Sequence, residues 1–130
     1  MLTIHLDSPV PLVDQIVAGL RLAIAAGELA PGDPLPPVRQ VAADLDVNLN
    51  TVARAYRALE DAGLISTVRG RGTQVTASQE RSRGSKAEVR KSLLERVRNL
   101  LADARLAGLS EADTHEMIQQ QLHVFWENVP

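Results

Sequence analysis

Asn48, Asn50, Thr51 and Arg54 crowd into one short stretch, and the run Arg69-Gly70-Arg71-Gly72 follows close behind. Side-chain amides and hydroxyls both donate and accept hydrogen bonds, while a guanidinium donates in a planar fork. That mixture suits the edges of nucleobases: asparagine can pair two-fold with adenine, threonine offers a hydroxyl and a methyl group, and Arg54 can read guanine or hold a phosphate. Glycines let a backbone approach a duplex closely, and the arginines between them suit a narrow minor groove or phosphates. The chemistry on offer is hydrogen bonding and charge pairing with nucleic acid, not bond cleavage.

Other chemistries find little support. No acid and base stand paired, no nucleophile has a base, and no phosphate cradle is visible, so neither an enzyme nor a cofactor is expected. Cysteine is absent, which excludes disulfides and thiolate metal sites and fits a reducing cytoplasm. His115 and His123 stand eight apart, with Gln119 between them and Glu111 one turn before His115. A zinc pair on a helix would more convincingly stand four apart, so surface histidines and no metal are expected. The apolar runs fall short of the ~18 residues of a membrane span, and the start lacks a basic leader before an apolar core. A soluble, unexported, cytoplasmic chain without a membrane partner is expected.

The elements that must position these groups read clearly. Residues 3–6 look strand-like. Leu12, Ile16, Leu20 and Ile24, with Val13 and Val17 beside them, make the apolar stripe of a first helix, with Pro11 in its first turn and Gly27 at its end. Residues 31–34 (Pro-Gly-Asp-Pro) predict a turn. A second helix over residues 38–45 buries Val38, Val41, Ala42 and Leu45, and Asp46 takes the sharp turn after it. Asn48 caps a third helix that buries Val52, Ala55, Tyr56 and Leu59, leaves Asn50, Thr51, Arg54 and Arg57 nearer solvent, and stops at Gly63. Residues 65–68 and 73–75 form a hairpin with Arg69, Gly70, Arg71 and Gly72 at its tip.

Residues 77–86 (ASQERSRGSK) lack an apolar period and predict a linker. Two helices follow, over about residues 86–107 and from the capping segment at Ser110 to about Trp126. The first carries Val89, Leu93, Val97, Leu100 and Ala104 on one stripe with Leu94 and Leu101 on its shoulder. The second carries Ile118, Leu122 and Phe125 on one side. Roughly forty residues in two helices bury too little to be stable alone. Dimerisation through Val89, Leu93, Val97, Leu100, Leu101, Ile118, Leu122 and Phe125 is the simplest way to cover them. The fold class is therefore mostly α with a small β-hairpin: a winged helix-turn-helix over residues 1–78, a linker over 79–85 and a two-helix appendage over 86–130.

Residues 35–65 (LPPVRQVAADLDVNLNTVARAYRALEDAGLI), the following Arg69–Thr73 run RGRGT and residues 11–36 together resemble the GntR family of bacterial transcription regulators. The short C-terminus resembles its YtrA-type subfamily, whose members carry only a compact dimerising appendage. The resemblance implies that Arg39 contacts DNA at or near the backbone, that Asn48, Asn50 and Thr51 line the reading end of the recognition helix, and that residues 69–72 form the wing tip. It also implies a homodimeric regulator, in the main a repressor, on a palindromic operator in double-stranded DNA. A small-molecule effector is a further partner it allows, and a transporter operon is a target it suggests. Three departures stand out: Pro37 replaces a small hydroxyl residue, Asp46 a glycine, and Gln74 a common aromatic.

The formal net charge of −2 runs against phosphate binding. Residues 1–78 hold six arginines and eight acids, yet Arg39, Arg54, Arg69 and Arg71 all fall on the elements that would face DNA. Local potential, not the sum, governs steering. The overall acidity also motivates a rival reading, a winged helix that docks on a partner protein and has no DNA duty.

Overall fold

Among the residues described by the computed structural model, 2, 4–76 and 85–127, the element order is α1 (Leu12–Ala25), α2 (Val38–Leu45), α3 (Leu49–Asp61), β1 (Ile65–Val68), β2 (Gly72–Val75), α4 (Lys86–Leu106) and α5 (Glu111–Trp126). The chain divides into two compact units, Met1–Arg81 and Ser82–Pro130. The fold is mostly α with one antiparallel hairpin. Most of the segment read as a linker, residues 77–84, lies outside the described residues. Its last two positions are structured: the Ser85 hydroxyl accepts from the Glu88 amide at 3.1 Å and caps α4, of which Lys86 is the first residue.

In the first unit, α3 is the central piece. Val52, Ala55, Tyr56 and Leu59 all lie buried, at the i, i+3, i+4, i+7 spacing that puts them on one face. They pack into a cluster with Ile16, Leu20 and Ile24 of α1, Val41 and Ala42 of α2, Leu35, Ile65 and Val75. Fully burying one such aliphatic side chain is worth roughly 1.5–3 kcal/mol, so this cluster fixes how α2 and α3 sit on α1. Val38 and Leu45, expected to be buried, are only partly so and line the cluster's edge.

Each boundary has a local cause. Asp46 takes the left-handed conformation, φ 55° and ψ 48°, which aspartate tolerates better than most residues. The Val47 amide then donates back to the Ala42 carbonyl at 3.0 Å and closes the turn between α2 and α3. At the far end of α3, Gly63 has φ 78°, and the Leu64 amide reaches the Leu59 carbonyl at 3.0 Å, which folds Leu64 back onto the core. Pro11 sits one position earlier than expected, while Pro37 directly precedes the helix read over residues 38–45. Both are N-caps with extended backbone (ψ 145° and 148°) and neither offers a capping side chain, so the helices proper begin at Leu12 and Val38.

The strand-like start is not a strand. Among described residues 4–6 no ladder forms; a side chain takes the partner's role. Gln15 accepts from the His5 amide at 2.7 Å and donates to the carbonyls of His5 at 3.0 Å and Val10 at 2.8 Å. Leu2 and Ile4 are thereby held on the core.

Residues 31–34 do more than turn. Gly32 and Asp33 exchange backbone bonds with Val75, at 2.9 Å each, and the Leu35 amide donates to the Thr73 carbonyl at 2.8 Å. This segment lies along the edge of β2 that β1 leaves open, with Pro34 opposite Gln74. One residue further, the buried Tyr56 hydroxyl donates to the Pro36 carbonyl at 2.6 Å. The hairpin, the entry to α2 and the middle of α3 are thus tied through residues 32–36.

Tyr56 is the sole tyrosine of the chain, and burial pushes its phenol up from 10.0 to about 12. A pKa raised by folding means stability that is whole below about pH 10 and lost as pH climbs towards about 12. Ultraviolet titration of the folded protein is expected to show one phenolate transition near pH 12. Tyr56→Phe is expected to lose about 1 kcal/mol in urea at neutral pH through the missing bond, and to lack the alkaline decline. A transition near the ordinary value for an exposed phenol would contradict this packing.

Candidate nucleic-acid interface

With one face of α3 committed to the core, the opposite face is decided by helix geometry. Asn50, Arg54 and Arg57 recur at i, i+4 and i+7 and are all exposed, so they share one outward stripe. Thr51 lies on its shoulder, half-buried. The stripe ends in an acid: Asp61, the last residue of α3, stands one further turn along it. Its i+4 spacing from Arg57 makes this placement readable from period alone.

Asn48 precedes the stripe and has a structural duty. Its Oδ1 accepts from the Asn50 amide at 2.8 Å, satisfying one of the free donors of the first turn. That oxygen is then engaged, and the side-chain NH₂ remains as a donor. Asn48 can give hydrogen bonds to a base edge or phosphate, but two-fold pairing with adenine would require it to surrender the cap. Asn50 carries no such obligation and keeps both halves of its amide for recognition. Arg39 is exposed near the start of α2, where the helix dipole also favours an anion.

The hairpin registers as Ile65 with Val75, Ser66 with Gln74, Thr67 with Thr73 and Val68 with Gly72. Gly72, expected at the tip, is therefore the first paired residue of β2, and the turn itself is Arg69-Gly70-Arg71. It closes through the Arg71 amide to the Val68 carbonyl at 2.9 Å. Gly70 has φ 81°, and a Cβ built there would meet nothing within 4 Å. The backbone's handedness demands glycine at that position, not lack of room. All four residues 69–72 are exposed.

Among the described residues, no ion pair engages Arg39, Arg54, Arg57, Arg69 or Arg71; a close contact between His123 Nδ1 and Glu127 Oε1 at 2.9 Å lies on α5 and its cap. Arg39, Arg54, Arg57, Arg69 and Arg71 are thus five exposed guanidiniums on α2, α3 and the hairpin in a chain of net charge −2. No group of three or more His, Cys, Asp or Glu among the described residues could hold a metal ion, and no described helix is long and apolar enough to cross a membrane.

The second unit carries the other candidate surface. Ala104 and Thr114 are buried, while Val89, Leu93, Val97, Leu100, Leu101 and Leu122 are each more than 40% exposed. Ile118 and Phe125 are half-buried. Leu100 of α4 and Met117, Ile118, Leu122, Phe125 and Trp126 of α5 line one apolar groove of about 310 Å³.

Residues 12–75 match the family described as bacterial regulatory proteins, gntR family. The chain is 35% identical over 121 residues to the HTH-type transcriptional repressor YtrA of Bacillus subtilis (strain 168), covering 92% of this chain and 91% of that protein. Among solved structures, a transcriptional antiterminator from Listeria monocytogenes EGD-e aligns with a TM-score of 0.78 at 27% identity, over 100% of this chain and 96% of that one. YtrA from Sulfolobus acidocaldarius, a GntR-family transcription factor, aligns with a TM-score of 0.57 at 35% identity, over 74% of this chain and 96% of that one.

The cap predicts its own cost. Asn48→Ala is expected to lower stability by about 1 kcal/mol, and Asn48→Ser to recover most of it, in urea or thermal unfolding. Equal stability of all three proteins would mean that the Asn48 oxygen is not engaged in solution.

Proposed function

The chain belongs to the gntR family of bacterial regulatory proteins, and from that premise we propose that it is a dimeric transcription repressor acting on an inverted-repeat operator in the cytoplasm. The observation that carries this reading is the outward stripe Asn50-Arg54-Arg57 together with the arginine-tipped hairpin, braced by residues 32–35. Similarity to a repressor over nine-tenths of both chains supports the regulatory sense. In this reading the first turn of α3 enters the major groove, where Asn50, Thr51 and Arg54 meet base edges and Asn48 donates through its amide. Arg57 and Arg39 neutralise phosphates, and Arg69 and Arg71 reach a minor groove or the flanking backbone while Gly70 and Gly72 allow close approach.

Dimerisation follows from the second unit. Covering a half-exposed aliphatic side chain returns roughly 1 kcal/mol, and Val89, Leu93, Val97, Leu100, Leu101 and Leu122, with Ile118 and Phe125, supply a continuous series of them. A second copy meets this face with the same face, as two-fold symmetry requires. The operator is then a palindrome with half-sites about one helical turn apart, ~34 Å.

Replacing Arg54, or Arg69 and Arg71 together, with alanine is expected to weaken operator binding by ~1–3 kcal/mol per good contact in gel-shift titrations. Affinity for random duplex should fall steeply as salt rises. Indifference of the native protein to duplex DNA at low salt would favour the rival protein-docking reading. For the second unit, the doubly substituted Leu100→Asp/Leu122→Asp protein is expected to sediment as a monomer; a surviving dimer would overturn this interface.

A further inference from the structure

The entry to α2 is weakly held by its own residues. Pro36 and Pro37 have no backbone N–H to donate, and Pro37, the N-cap, offers no capping side chain. The Pro37 carbonyl is spent inside the helix, on the amides of Gln40 at 3.0 Å and Val41 at 3.1 Å. The buried residues of α2, Val41 and Ala42, come after Arg39, and Val38 before it reaches the hydrophobic cluster only at the edge. A directed bond to this entry comes from another helix: the Tyr56 hydroxyl, twenty residues away, donates to the Pro36 carbonyl at 2.6 Å. The side-chain bonds of Asp33 and Asn48 stay within three residues of their origin, whereas this one joins α3 to the start of α2. Tyr56 belongs to the buried face of the same rigid helix that carries Asn50, Arg54 and Arg57 outward. Its oxygen therefore sets the spacing between Arg39 and the stripe.

We infer that Tyr56 is a positioning residue for DNA binding: without touching DNA, its hydroxyl holds Arg39 where a phosphate contact is made together with the base contacts of α3. The inference rests on the proposed phosphate contact of Arg39 and deepens it. With the hydroxyl gone, the first turn of α2 occupies other placements too, and affinity falls with the fraction of molecules in the competent one. Arg69 and Arg71 are exempt, because the backbone bonds of Gly32, Asp33 and Leu35 that brace the hairpin remain in place.

Tyr56→Phe removes one oxygen and keeps the ring in the core, so a cycle of variants isolates the effect. An operator selected from random duplexes is titrated with the full chain by fluorescence anisotropy, at a temperature where circular dichroism shows every variant folded. Tyr56→Phe is expected to bind about threefold more weakly, within the ~fivefold that one ordinary hydrogen bond is worth. In an Arg39→Ala background the same substitution should cost nothing further, whereas in an Arg69→Ala/Arg71→Ala background it should cost the full factor. A general loosening of the fold would instead weaken binding equally in all three. Arg39→Ala by itself should lower the slope of log affinity against log salt by about one. Equal losses from Tyr56→Phe in every background, or no loss in the native one, overturn the positioning role while the Arg39 contact stands. Native affinity and salt slope in Arg39→Ala overturn both.

Discussion

The structure depends above all on the burial of one face of α3. Val52, Ala55, Tyr56 and Leu59 settle against α1, α2 and β1, and because a helix is rigid about its axis, this decides where every other residue of α3 points. The stripe Asn50-Arg54-Arg57 is the geometric complement of that burial. Asp46, with its left-handed backbone, sets the angle at which α2 precedes α3, and the Tyr56 hydroxyl on the Pro36 carbonyl holds the entry of α2 to the middle of α3. Apolar burial supplies the energy; a few directed bonds supply the register.

Much of this was legible in the residues themselves. Helices α2 and α3 could be read from the spacing of their apolar residues and from Asn48, Asp46 and Gly63, all of them local signals. The hairpin was legible from two β-favouring runs and an intervening glycine. Non-local pairing was not legible. That residues 32–35 lie along β2 depends on where α1 delivers the chain, and Pro-Gly-Asp-Pro announces only a turn. Residues 4–6 have β-favouring character but no ladder partner, so Gln15 satisfies His5 instead. The Ser85 cap had a readable signal, a serine with glutamate three residues later, obscured by the polar run before it. The outward placement of Arg54 and Arg57 followed from period alone; the commitment of the Asn48 oxygen to Asn50 needed the geometry.

Charge illustrates why sums mislead. A net −2 suggests a chain that phosphate would repel. Yet the arginines of α2, α3 and the hairpin are unpaired among the described residues, and field strength near a surface follows the nearest charges within about a Debye length, ~8 Å at physiological salt. The acid that belongs to the same stripe, Asp61, sits at its far end, away from the first turn.

Segregation of the two faces of α3 bears on how such a protein can diverge. Substitutions at exposed positions distant from caps and core usually change stability by less than about 0.5 kcal/mol. Arg54 and Arg57 occupy such positions, whereas the Asn50 amide is bound to the cap of α3. Residue 48 is the exception, since one side chain serves both the helix end and the surface presented to a ligand. Side chains can change along most of this stripe while the fold persists, but at Asn48, just ahead of it, each change of side chain is also a change of stability.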